Sequence, residues 1–150
     1  MFSLIISNGV VIDGTGNPWF RADIGVRGDR ITRIGNLARE KAARRIDAKG
    51  LVVTPGFIDI HTHSDLALVV DGRAEAHILQ GVTTSVTGNC GTSAAPATED
   101  TLSLMASIGI GGAKREDLEW RSPADYLTVL EKKGVSTNVA ALVGHGTVRN

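Results

Sequence analysis

The first fifty residues show short apolar, β-branched runs separated by turn formers. Residues 4–6 and 10–12 flank Ser7-Asn8-Gly9, which predicts two short strands joined by a turn. Asp13-Gly14-Thr15-Gly16-Asn17-Pro18 is a dense loop signal. Residues 20–26 alternate, which places Phe20, Ala22, Ile24 and Val26 on one face of a strand. Gly28-Asp29 predicts a hairpin turn, with the chain returning over residues 31–34. Ile46 and residues 51–53 supply two further short strands around Lys49-Gly50. Residues 1–53 thus read as a small antiparallel β unit. Its core is slight, so it should need a partner surface.

Pro55-Gly56 marks a boundary, and the period then changes. Residues 57–60 have the composition of a buried strand. Residues 73–80 predict a helix ended by Gly81, and residues 82–86 a second strand. Residues 98–108 predict another helix, with Glu99 and Asp100 in its first turn where they complement the dipole. Ser122-Pro123 is an N-cap followed by proline at the first helical position; that helix runs to Lys133 and ends at Gly134. Residues 139–143 form the third strand. Strands alternating with helices imply an α/β arrangement of parallel strands with helical crossovers. No repeat or low-complexity tract interrupts it.

Composition narrows the function classes. The 150 residues are 42% hydrophobic and 21% charged, an ordinary globular balance. Sixteen basic and sixteen acidic residues give zero formal net charge, against a nucleic-acid or acidic-membrane surface. The basic run over residues 39–45 is interrupted by Glu40 and reads as a solvated face. Residues 2–6 are too short for a signal peptide, and no stretch approaches the ~18 apolar residues of a membrane helix. Cys90 is the one cysteine, so no internal disulfide forms, and a reducing, cytoplasmic setting is expected. Residues 109–114 are glycine-rich but lack the spacing and Lys-Ser/Thr ending of a phosphate loop, and read as an interhelix loop.

Two segments carry candidate chemistry. In Asp59-Ile60-His61-Thr62-His63-Ser64-Asp65, strand alternation projects His61 and His63 to one side and Thr62 to the other. Two such imidazoles can converge on a metal at the strand's C-terminal end, where parallel α/β folds build their sites. A bare His-x-His is as often a packed or solvated pair. Asp65 is a candidate to orient an imidazole, or else a loop carboxylate or helix N-cap. The second segment, Gly88-Asn89-Cys90-Gly91, places the lone cysteine just past a strand end. A thiolate is a good zinc ligand, but a buried structural cysteine is the commoner fate. His145, between Gly144 and Gly146, follows the third strand and is either an active-site or a turn histidine. His77 reads as a helix-face histidine, and Asp125 as a helix first-turn carboxylate.

Residues 54–65 resemble the first barrel strand of the amidohydrolase superfamily. More specifically, the chain resembles the N-acyl-D-amino-acid deacylase (D-aminoacylase) family. The resemblance rests on Asp13-Gly14-Thr15-Gly16 with Phe20-Arg21-Ala22-Asp23, residues 55–65, residues 80–91, and Leu142-Val143-Gly144-His145-Gly146. It implies a small β-sandwich-like unit over residues 1–53, then the first three strands of a (β/α)8 barrel over residues 54–150. It implies zinc: Cys90 on a tightly held ion, with His61 and His63 at a second, weaker position. It also implies a small-molecule N-acyl amino acid as substrate, hydrolysed at its amide bond. Asp65 and His145 would lie in the outer shell or at the site's mouth. The family's other two histidines and its catalytic aspartate match nothing here.

A complete barrel takes about 250 residues, so three strands are expected to leave this one unclosed, inactive alone and prone to aggregate. The alternatives are an amidohydrolase acting on cyclic amides such as hydantoins or dihydropyrimidines, which uses a modified lysine where this chain has cysteine, or a non-catalytic metal-binding protein.

Overall fold

The structure, a computed structural model, describes residues 1–109 and 112–149. The chain divides into two compact units, Met1–Pro55 and Gly56–Asn150.

The first unit contains two sheets. One has the order β5-β4-β1-β6, from β1 (Phe2–Ser7), β4 (Asp23–Arg27), β5 (Arg30–Gly35) and β6 (Ala42–Asp47). The other has the order β3-β2-β7, from β2 (Val10–Val11), β3 (Phe20–Arg21) and β7 (Val52–Val53). The expected all-antiparallel arrangement is wrong. β1 pairs antiparallel with β4 but parallel with β6, and β2 pairs antiparallel with β3 but parallel with β7. Turn residues set only local pairing. The β4–β5 hairpin lies on one side of β1, and the chain then returns along its other side in the same direction.

The single strand expected over residues 20–26 is also two strands. Ala22 separates β3 from β4, which belong to different sheets, so Phe20 is exposed while Ile24 is buried. The small core is Phe2, Ile5 and Leu37. Phe2 lies over Gly25, where a Cβ would come within 2.5 Å of the ring, so β4 needs glycine there. The basic run ends in edge strand β6 with Arg44 and Arg45 exposed, the solvated face expected of it.

The second unit holds three parallel strands, as the alternation predicted: β8 (Phe57–Asp59), β9 (Val82–Thr87) and β10 (Asn138–Ala141), in the order β10-β9-β8. Helix α4 (Pro123–Lys133) begins at the expected cap, and α3 (Glu99–Ile108) at a cap formed by Thr98. Thr98 Oγ1 accepts from Thr101 N–H at 3.2 Å, and Ser122 Oγ from Asp125 N–H at 3.2 Å. The helix expected over residues 73–80 shortens to α2 (Glu75–Ile78). Helix α1 (Asp65–Val70) is anticipated only by the capping alternative for Asp65; residues 66–70 are uniformly apolar and give no helical period. A short helix α5 (His145–Arg149) and a 3-10 turn at Arg115–Asp117 complete the unit. Ile110 and Gly111, in the expected interhelix loop, lie outside the described residues.

The larger core joins Leu66, Leu68 and Val69 of α1 to Leu102 of α3, to Leu118 and Trp120, and to Tyr126 and Leu130 of α4. Two of its members also tie down the segments that follow β8 and β9. Tyr126 Oη donates to Asp65 O at 2.9 Å, and Trp120 Nε1 donates to Ala94 O at 2.7 Å. Elsewhere Phe57, Ile58, Ile60, Leu142 and Val143 are exposed. Among the described residues no helix is long and apolar enough to cross a membrane.

Candidate metal centre

Strand β8 stops at Asp59, and Ile60 and His61 lie in a bend, so strand alternation does not itself orient the two histidines. The segment nevertheless stays beside β9, because Thr62 N–H donates to Val86 O at 3.2 Å. The two imidazole centroids end 5.5 Å apart. Asp59 helps set the bend. Its Oδ1 accepts from His61 N–H at 3.1 Å, while its Oδ2 lies 3.8 Å from His77 Nε2. His77, expected as a plain helix-face histidine, thus faces the carboxylate that shapes the histidine segment.

Cys90 reaches the same place from the end of β9. Its backbone has φ 54°, in the left-handed region that side chains other than glycine seldom adopt. Cys90 Sγ lies 3.1 Å from His61 Nε2, and the donor atoms of His61, His63 and Cys90 all fall within 4.8 Å of one another. Among the described residues this is the one such convergence of three or more His, Cys, Asp or Glu donors. A tetrahedral zinc ion spaces nitrogen and sulfur donors by about 3.3–3.6 Å, so small side-chain adjustments let this set hold one. Two imidazoles and a thiolate are the donor chemistry that zinc favours. All three residues are exposed, so they are open to an ion and to a substrate.

The residues that hold Cys90 in place are less obvious from sequence. Asn89 Nδ2 donates to Thr62 O at 3.2 Å and to Val86 O at 2.8 Å, which links the cysteine turn to the histidine segment. On the other side the turn is bonded to the segment after β10. Gly146 N–H donates to Gly91 O at 2.9 Å, Gly144 N–H to Ser93 Oγ at 2.9 Å, and Ser93 N–H to Thr147 Oγ1 at 2.8 Å. This apposition requires glycine. A Cβ on Gly144 would lie 2.5 Å from Gly91 O, and one on Gly88, itself at φ 79°, would overlap the Leu142 carbonyl. The Gly-Asn-Cys-Gly and Gly-His-Gly elements, noted separately in the sequence, are two halves of one backbone clasp.

His145 therefore stands beside the cysteine turn, exposed at the start of α5, and is not in the donor cluster. Asp65 is buried in the first turn of α1. Burial pushes its carboxyl above the usual carboxylate range; its own N–H, those of Gly88 and Ala94, and nearby His63 pull the other way. Its contacts thus run to the cysteine loop as well as toward His63. Asp125 caps α4, and Ser122 N–H draws its carboxyl below its ordinary value. Arg149 is exposed in α5 and does not join the cluster.

Two histidines past one strand end and a cysteine past the next thus bring three metal-donor side chains together beside parallel strands with helical crossovers. The chain belongs to the amidohydrolase family, whose profile matches residues 44–150. It is 46% identical over 149 residues to the D-aminoacylase of Alcaligenes xylosoxydans xylosoxydans, covering 99% of this chain and 30% of that protein. It superposes on a D-aminoacylase with a binuclear metal centre, activated by one metal and attenuated by a second, at a TM-score of 0.86. Identity there is 43%, over 99% of this chain and 31% of the other. The N-acyl-D-glutamate deacylase of Bordetella bronchiseptica, solved with zinc and a phosphonate mimic of the tetrahedral intermediate, matches at a TM-score of 0.85 and 40% identity. That match covers 99% of this chain and 30% of the other. The fold is that of the amidohydrolases, and the chain spans about 30% of the length of the curated relatives it matches.

Proposed function

We propose that the chain supplies His61, His63 and Cys90 to the metal centre of a zinc-dependent hydrolase that cleaves the amide bond of N-acyl-D-amino acids. The convergence of those three donors carries the reading. In it, residues 54–150 are the opening strands of a (β/α)8 barrel, and residues 1–53 are part of a β-sandwich. Cys90 is the ligand of the tightly held ion, and His61 and His63 serve a second, weaker position beside it. The setting is the cytoplasm.

When bound, zinc supplies Lewis acidity toward the amide carbonyl and toward water. The chain's own residues do the rest of what is visible. Asp59 fixes the bend that carries His61, and Asn89 holds the cysteine turn against Thr62. The paired imidazoles and the thiolate present their donors to one side of the strand ends. Asp59 is engaged by His61 N–H and His77, and Asp65 is buried, so neither is placed as the general base. A substrate amide reaching these donors would be cleaved to a carboxylic acid and a free amino acid.

Two measurements test the reading. Zinc titration of the chain should show binding, weakened more than about a hundredfold in Cys90→Ala, a loss beyond what removing an outer-shell partner costs. The whole protein that carries this chain, loaded with zinc, should hydrolyse N-acetyl-D-amino acids in preference to their L-enantiomers. Turnover of a hydantoin or dihydropyrimidine in place of both would refute it in favour of a cyclic-amide hydrolase. Zinc affinity unchanged in Cys90→Ala would remove the thiolate from the centre.

A further inference from the structure

We propose that the cavity beside His63 is the acyl-chain subsite, which takes the apolar tail of the N-acyl group. This rests on the deacylase reading above. The cavity has a volume of about 260 Å³, and its walls include His63, Leu66, Thr92, Ala94 and Met105. Leu66 comes from α1, Met105 from α3 and Ala94 from the loop after β9, so three segments close around it. His63 also belongs to the donor cluster, so the cavity abuts the place where the scissile carbonyl would lie.

From that carbonyl a substrate extends in two directions. The amino-acid side carries a carboxylate, which needs a cation or converging N–H donors. Among the described residues no lysine or arginine lines the cavity, and the side chain of Asp65, also in its wall, is itself a carboxyl. The acyl side carries no charge. Ser93, the remaining wall residue, has its hydroxyl occupied: it donates to Ala95 O at 2.6 Å and accepts from Gly144 N–H at 2.9 Å. Apart from the Thr92 hydroxyl and the His63 imidazole, what remains is aliphatic, with a flexible half-buried methionine that adapts to the shape of a guest. An apolar cavity of about 150 Å³ suffices for benzene. This larger one has room for a hexanoyl or phenylacetyl tail, and Met105 sets the accepted length.

The test uses the zinc-loaded whole protein, with acetate, butyrate and hexanoate as calorimetric probes and N-acetyl and N-hexanoyl derivatives of one D-amino acid as substrates. Affinity should rise about fourfold per methylene along the alkanoate series, the ratio expected for burying each CH₂. Met105→Trp should flatten the series and lower kcat/KM for the hexanoyl substrate about tenfold or more relative to the acetyl substrate. Met105→Ala, which keeps the helix, should retain the rise and extend it to longer tails. A flat alkanoate series in the unmodified protein, or a Met105→Trp loss equal for both acyl groups, overturns the assignment. A loss that tracks the amino-acid side chain instead gives the cavity to the leaving group and also overturns it. If no N-acyl amino acid is hydrolysed, the deacylase reading falls on its own, and the alkanoate series still decides the cavity.

Discussion

Replacing Gly144 with alanine tests whether the clasp around Cys90 is what positions the thiolate. The added Cβ would lie 2.5 Å from Gly91 O, 2.7 Å from Gly91 C and 2.8 Å from Thr92 N, all of them backbone atoms. Ordinary contact begins near 3.4 Å, so one segment has to move away from the other by about 1 Å. The Gly146 N–H to Gly91 O and Gly144 N–H to Ser93 Oγ bonds, both 2.9 Å, cannot survive that separation. Each contributes about 0.5–1.5 kcal/mol, and overpacking adds about 1–3 kcal/mol. The expected loss of stability is therefore about 2–6 kcal/mol, read from the urea midpoint of the metal-free chain.

Gly91 adjoins Cys90, so Sγ shifts with it. Zinc affinity, measured by competition with a chromophoric chelator, should fall at least about tenfold, or ~1.4 kcal/mol. Gly14→Ala is the comparison. Gly14 is at φ 80° with nothing within 4 Å of the added Cβ, so the change costs backbone strain of about 1–2 kcal/mol and leaves zinc affinity unchanged. Unaltered zinc binding in Gly144→Ala, or equal losses in both variants, would refute the clasp as the positioning device.

Tyr126→Phe deletes the hydroxyl that donates to Asp65 O from a side chain only 1% exposed, and should cost about 1–3 kcal/mol of stability by chemical denaturation. No change in midpoint would mean that water replaces the hydroxyl. Acid should also destabilise the chain. Arg73 beside Asp71 holds that carboxyl down at about 2, and Arg115 and then Arg121 draw Glu99 below its ordinary 4.5. These folded-state values lie under the unfolded ones, so their stabilisation is present above about pH 4.5 and is lost as pH falls toward 2. Denaturant midpoints measured from pH 6 to pH 2 should decline over that window, and Glu99→Gln should shallow the decline. Both groups are exposed, so added salt should blunt the effect. A midpoint rising with acid would reverse the reasoning.

Local chemistry was the legible part of the sequence. Ser122, Pro123 and Gly134 bound α4, and residues 98–108 read as α3, because capping and first-turn charge depend on neighbours within one turn. The parallel order of β8, β9 and β10 followed from strands alternating with helices. The first unit departs from its local sequence pattern where pairing partners are far apart in the chain. Nothing between residues 8 and 41 says that β6 will run alongside β1 in the same direction. Helix α1 escaped because five successive apolar residues, 66–70, carry no periodicity, and tertiary burial against α4 decides their form.

For the site, residue types were legible and their support was not. His61, His63 and Cys90 stood out as ligand types near strand ends, but the bend at residues 60–61, which no alternation rule describes, brings the imidazoles toward the thiolate. In the sequence Gly144 and Gly146 stand only as neighbours of His145. Their missing side chains matter more to the site's geometry than the imidazole between them. Each half of the clasp lacks stability alone: a cysteine at φ 54° is held by hydrogen bonds from residues some fifty positions later in the chain. The ligand geometry therefore forms only when β10 has docked on β9 and Leu142 N–H has reached Thr87 O. Metal binding and this long-range docking are then linked equilibria. Zinc should tighten the β9–β10 pairing by the same free energy that the pairing contributes to zinc affinity.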